Sequence, residues 1–192
     1  DNALYFEGDH RRLLVVDERR GLSQPGEWLD YSFFVGDSSE PVKVTLVWTD
    51  PAATVVNCNP CLRNDINLEV TDPFGQVFRG NFFAGANPGQ SVQGGNFDNT
   101  NVEEGVLRIP AAGAQVVGRW RVRVIAQGLP VAPQPFALVV TGGLTDEIGV
   151  MSGLYSHSNP SVSSNRVQGS PADTHLVWTE LGSGTSTLWY AR

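Results

Sequence analysis

The sequence predicts an all-β protein: an eight-stranded antiparallel jelly roll or β-sandwich, followed by an extra C-terminal β-hairpin. Three observations carry this prediction. Almost every periodic segment of the 192-residue chain alternates apolar and polar residues with a period of two, as a half-buried strand does. These segments are short, rich in Val, Leu, Phe and Trp, and punctuated by turn residues drawn from 21 glycines and 12 prolines. No convincing amphipathic helical pattern interrupts them. Eight such strands within about 140 residues suit a sandwich or jelly roll.

The expected strands are RRLLVVD (11–17), EWLDYSFFV (27–35), VKVTLVWTD (42–50), NDINLEVT (64–71), GQVFRG (75–80), NVEEGVLRI (101–109), GRWRVRVIAQ (118–127) and PFALVVTG (135–142). The fourth shows the period most cleanly: Ile66, Leu68 and Val70 alternate with Asn67, Glu69 and Thr71. It is followed by Asp72-Pro73-Phe74-Gly75, a turn in which Pro fixes one torsion and Gly permits the return. In the seventh, Arg119, Arg121 and Arg123 share one face, with Trp120, Val122 and Val124 on the other. Trp48 and Trp120 fall on apolar faces and are expected in the core.

Composition then shifts. Residues 144–170 are rich in Ser, Asn and Gly and read as a linker after a domain spanning 1–143. Two further strands, DTHLVWTEL (173–181) and TSTLWYAR (185–192), form the expected hairpin within 171–192. A lone hairpin is marginal in water and needs a neighbour to pack on.

Bulk numbers exclude some function classes. Hydrophobic content of 41% with 17% charged residues describes a globular chain. The net charge of -7 argues against a nucleic-acid partner, which calls for a concentrated basic surface. No run of about 18 apolar residues is present, so no membrane-spanning helix is expected. The chain opens without a signal-peptide pattern and is expected to be a fragment of something longer.

Catalysis by this fragment is not expected, and no catalytic residue is assigned. Nucleophilic hydrolysis needs a nucleophile, its base and a group orienting that base. The three histidines, His10, His157 and His175, lie respectively in a polar opening segment, the linker and a hairpin strand. GTS at 184–186 faintly echoes a subtilisin nucleophile motif, but it sits in a hairpin, where the subtilisin serine would open a buried helix. Cys58 and Cys61, in NCNPCL, are the only cysteines. No helical pattern follows them, as a redox pair would need, and two zinc ligands are missing nearby. A local disulfide or two inert thiols remain. The arginine stripe could bind polyanions. The commoner arrangement is a solvated face paired with carboxylates on neighbouring strands, such as Glu103 or Glu104.

The informative region is rich in oxygen acceptors. Residues 81–100 form a long loop with no secondary-structure period, and such loops are usually functional, disordered or fixed by something. It runs into NFDNTNVEE, which gathers Asn96, Asp98, Asn99, Asn101, Glu103 and Glu104. Calcium takes six to eight oxygens, about the number this loop and Asn64-Asp65 could bring together. Asn and Asp also favour turns with no metal at all. Residue types alone leave both readings open.

Four segments carry a family resemblance: LVWTDP (46–51), NDINLEVTDPFG (64–75), NVEE (101–104) and VAPQPFAL (131–138), in this order and spacing. Residues 11–143 resemble the C-terminal β-barrel domain of secreted subtilisin-like serine proteases (subtilases). Such domains are related in architecture to the P domain of kexin-type proteases. The resemblance implies a secreted, non-catalytic jelly roll docked in cis on the catalytic domain of its parent protease and stabilising it. It also implies calcium as the cation. By position it assigns Asn64, Asp65, Asp98, Asn101 and Glu103 as the metal residues. Two departures stand out: Asn67 replaces the second aspartate of the family's NDLDL, and the Cys58/Cys61 pair is foreign to it. The tail is similar to one blade of a sialidase-type β-propeller, which cannot close alone.

A rival from another class is a glycan- or protein-binding β-sandwich module. Trp178 and Trp189 are its better stacking candidates among Trp28, Trp48, Trp120, Trp178 and Trp189. The sequence upstream of Asp1 would discriminate: an Asp/His/Ser catalytic domain there favours the protease reading.

Overall fold

The structure is a computed structural model that describes residues 9–53, 58, 61–83, 89–110 and 115–153, with side chains in the last strand described as far as Thr145. Its elements are eight strands: β1 (Arg12–Leu22), β2 (Trp28–Asp37), β3 (Val42–Val47), β4 (Asp65–Thr71), β5 (Val77–Arg79), β6 (Glu103–Arg108), β7 (Gly118–Gly128) and β8 (Gln134–Gly153). Every pairing between them is antiparallel.

The pairings define two layers. One has the order β1-β8-β3-β6 and the other β5-β4-β7-β2-β8. First beside eighth, third and sixth, opposite fifth, fourth, seventh and second, is the strand order of a jelly roll. The expected fold class is therefore what the chain adopts. All eight expected strands are present, with ends shifted by a few residues.

One strand runs far beyond its expected end. The last strand was expected to end at Gly142, yet β8 continues to Gly153, into the stretch expected to be a linker. Its first half pairs with β1 and β3, from Gln134 to Gly142. Its second half pairs with β2, from Gly143 to Gly153. The crossover falls at Gly142-Gly143. A side chain at Gly143 would overlap the carbonyl of Asp37, so glycine is what lets the two backbones approach there. Composition misled here because Gly, Ser and Asp read as loop, while pairing with β2 supplies the hydrogen bonds that override propensity. The remainder of the expected linker, the hairpin, His157, His175, Trp178 and Trp189 lie outside the described residues.

The core lies between the layers. Val42, Val44 and Leu46 of β3 and Leu138 and Val140 of β8 face Leu29, Phe33, Leu68, Val70, Val122 and Val124 of the other sheet. Trp120 is fully buried and stacks on Phe33, with ring centroids 5.9 Å apart and 9° between planes. Its indole N–H donates to the Val116 carbonyl at 2.6 Å, so the buried polar handle is satisfied. Trp48 is buried as expected. Cys58 and Cys61 are joined as a local disulfide.

The arginine stripe is corrected in one respect. Glu103 and Glu104 lie on β6, in the opposite layer from β7, and cannot be its strand neighbours. Arg123 instead pairs with Asp30, its cross-strand partner on β2, through two bonds of 2.6 Å. The guanidinium also sits 5.0 Å from the Trp28 ring centroid.

Leu138 is fully buried on the strand that both layers share, whereas Val15 points outward and is 44% exposed. Leu138→Ala should therefore cost about 2–5 kcal/mol in chemical denaturation. Val15→Ala should stay within about 0.5 kcal/mol. Similar costs for the two would show that β8 does not carry the core.

Candidate functional site

Jelly-roll connectivity brings the β3–β4, β5–β6 and β7–β8 connections to the same end of the sandwich, because each crosses from one layer to the other at that end. The acceptor-rich segments are on these connections. They build two distinct assemblies, side by side at the start of β4.

The first centres on Asn64, which is completely buried. Its Oδ1 accepts the Val131 amide at 3.0 Å, and its Nδ2 donates to the Val131 carbonyl at 2.5 Å and to Gln134 Oε1 at 2.8 Å. Its carbonyl accepts the Trp48 indole N–H at 3.1 Å. The Asp50 carboxylate accepts the amides of Arg63 and Asn64, both at 2.7 Å. Gln134 Nε2 completes the set by donating to the Thr49 and Pro135 carbonyls. The Asn64 side chain thus closes the β7–β8 connection onto β4, and its amide oxygen already has a donor.

The second is an acidic pocket. Asp65 opens β4 and is half-buried, and it accepts Asn67 Nδ2 at 3.0 Å from two residues along the same strand face. Asp98 lies on the long β5–β6 connection. Its Oδ2 accepts Asn81 Nδ2 and Asn101 Nδ2, each at 2.6 Å, while its Oδ1 accepts the amides of Thr100 and Asn101. Asn81 adopts a left-handed conformation, φ 59°, which asparagine tolerates better than most residues. From there it ties Asp98 to β6, its Oδ1 accepting the Gly105 amide and its Nδ2 donating to the Glu103 carbonyl.

Glu104 is the buried member. It has no solvent exposure, and its Oε2 accepts the Leu68 amide at 2.7 Å. Its Oε1 has no partner, nor does Oδ1 of the fully buried Asn67. Gly80 faces the Glu104 carboxyl so closely that any side chain there would overlap it. Burial pushes the Glu104 carboxyl up to about 8; the Leu68 bond opposes this, and repulsion from Asp98 and Asp65 adds to it. Asp65 is also raised, by burial first and then by the Asp98 charge, against its bond from Asn67. For Asp98, burial works to raise the carboxyl, but the bonds from Asn81, Asn101 and Thr100 outweigh it and leave it below the ordinary range.

Of the five residues expected to gather, the structure brings together Asp65, Asp98 and Asn101. Asn64 uses its side chain on Val131 and Gln134. Glu103 is exposed, while its neighbour Glu104 points inward. The alternation of β6 carried that signal, since Glu104 shares its phase with the buried Val106. Asn67, noted in the sequence as a missing carboxylate, proves to be an unpartnered acceptor beside Asp65. Nothing in the sequence singled out Asn81. Among the described residues, no three Asp, Glu, His or Cys side chains come together as a metal-holding group by themselves. Amide and carbonyl oxygens would have to complete any cation site. The donors are all hard oxygens, and two buried acceptors lack a donor, which is a set suited to calcium.

With this geometry in hand, a scan against protein-family models matches none of them, and a search of curated proteins finds no match.

Two outcomes are expected. Asn64→Ala leaves the Val131 groups and Gln134 buried without partners, and should cost about 2–3 kcal/mol by denaturation. Glu104 predicts a pH dependence in chelator. Its folded pKa lies above its unfolded value, so the native state binds the extra proton between pH 4.5 and about 8. Stability should fall as pH rises through that window and level off above it. Glu104→Gln should flatten the difference between melting curves at pH 5 and pH 9; an unchanged difference would remove Glu104 as its source.

Proposed function

We propose that this chain is a non-catalytic accessory domain of a secreted subtilisin-like serine protease, stabilising the catalytic domain in cis and holding calcium in its acidic pocket. The observation that carries this reading is that the four segments of the family resemblance contact one another through their characteristic residues. Trp48 and Asp50 bond the Arg63-Asn64 segment, Asn64 bonds Gln134, and Glu104 bonds Leu68. Motifs far apart in sequence thus meet in two neighbouring assemblies at one end of a jelly roll. That convergence supports the reading.

Calcium would be held by oxygens of Asp65, Asn67 and Glu104, with Asp98, positioned by Asn81 and Asn101, adding negative charge nearby. The unpartnered Glu104 Oε1 and Asn67 Oδ1 support that assignment, because a buried acceptor without a donor is costly unless a cation satisfies it. A divalent ion would also relieve the repulsion that Asp98 and Asp65 exert on Glu104. Its role would be thermodynamic: an ion that binds only the native state adds about 2.7 kcal/mol at a hundredfold excess over Kd.

The test uses the chain itself. Its melting temperature should rise by several degrees on going from chelator to millimolar calcium. Asp65→Asn and Glu104→Gln should each abolish most of the rise. No shift and no heat of binding would remove calcium from the proposal. The protease reading stands or falls separately. An Asp/His/Ser catalytic domain upstream of Asp1, destabilised when this domain is deleted, would support it, and a parent chain without such a domain would overturn it.

A further inference from the structure

The outer face of the five-stranded layer carries a basic groove remote from the acidic pocket's chemistry. The register sets its rows. Thr71, Arg121 and Ser32 are opposed across β4, β7 and β2, and Phe34 is opposed to Arg119 one row further along. A groove of about 250 Å³ opens over these rows, bordered by Asp30, Ser32, Thr71, Asp72, Arg119 and Arg121.

The two acids on its border are already engaged. Asp30 holds Arg123 in a bidentate pair. Asp72 uses its Oδ1 to accept the amides of Phe74 and Gln76 in the β4–β5 turn. Arg119 and Arg121 are exposed, and no ion pair among the described residues involves either. The contact of Arg121 is with the Thr71 hydroxyl, at 3.4 Å. Two guanidinium groups therefore project without an ion-pair partner, with Asp72 the one border acid not neutralised by an arginine, from a chain whose net charge is -7. A polyanion is repelled by the molecule as a whole and finds its complement at this stripe.

We propose that this groove binds an anionic sugar residue of a polysaccharide, its carboxylate or sulfate held by Arg119 and Arg121. A planar guanidinium matches the two oxygens of such a group with paired N–H donors. Ser32 and Thr71, on either side of Arg121, offer hydroxyls that both donate to and accept from sugar hydroxyls. Phe34, half-buried beside Arg119, supplies an apolar surface for a pyranose ring. A polypeptide is the poorer fit. The backbone of β7 is paired on both edges, with β4 and β2, so an acidic peptide cannot add here as a strand. The site depends neither on calcium nor on the parent being a protease.

The experiment titrates the 192-residue chain with polygalacturonate, heparin, poly-L-glutamate and neutral dextran, read by calorimetry at low and physiological ionic strength. Binding to polygalacturonate identifies the carboxylate as the ligand group, and binding to heparin alone identifies sulfate. Dextran should not bind, and affinity should fall with salt as exposed charges are screened. Arg119→Gln/Arg121→Gln should weaken binding at least about tenfold, as expected for lost charged hydrogen bonds. Its melting temperature should stay that of the parent chain, because both side chains are exposed. Arg119→Lys/Arg121→Lys, keeping charge but losing the planar fork, should fall between. Arg19→Gln, an exposed arginine paired with Asp17 away from the groove, should bind as the parent does. Tighter binding of poly-L-glutamate than of either polysaccharide would overturn the proposal in favour of an acidic polypeptide. Absence of polyanion binding, or binding unchanged in the double glutamine variant, would overturn it outright.

Discussion

The amide of Asn64 is the interaction on which the rest of this end of the molecule depends. A jelly roll crosses between its layers at most of its connections, and each crossing leaves backbone groups that no strand can pair. One buried side chain satisfies two such groups here, donating to and accepting from Val131, while also reaching the Gln134 side chain. Asp50 and Trp48 hold the same residue through its own backbone. With Asn64 fixed, the start of β4 is fixed too, and Asp65 and Asn67 take their places on its face. The acidic pocket is thus built upon a neutral hydrogen-bonded clamp.

The pocket itself rests on an opposition between burial and charge. Glu104 is held inside by the Leu68 amide and by the absence of any side chain at Gly80. Its second oxygen is left without a donor. Asp98, by contrast, is surrounded by amide donors and remains a comfortable anion. Carboxylates a few residues apart in sequence therefore differ widely in character, and the difference comes from what each oxygen can reach.

The strands were legible in the sequence because a sandwich writes its buried faces as a period of two, and local patterning needs no knowledge of the partner. Trp48 and Trp120 could be assigned inward for the same reason. The candidate site was only partly legible. Asp65 and Asp98 stood out as acceptors, but Asn64 was chosen for its chemistry while its use depends on Val131 and Gln134, nearly seventy residues away. Glu103 was chosen over Glu104 through family position, although the alternation of β6 favoured the other. The partner of Arg123 could not be read without the strand order, since only pairing places Asp30 beside it. The length of β8 was hidden because its second half is stabilised by β2 and has little strand character of its own.

That long strand has a bearing on how the molecule comes apart. A sandwich whose layers share no strand can in principle loosen one sheet while keeping the other. Here a single segment is stitched into both, with Leu138 and Val140 under one layer and Gly143 onward along the edge of the other. Disturbance in either sheet is carried along one continuous backbone through Gly142-Gly143. The two layers are thereby joined into one cooperative unit, and amides on either side of that glycine pair share a common route to exchange with solvent.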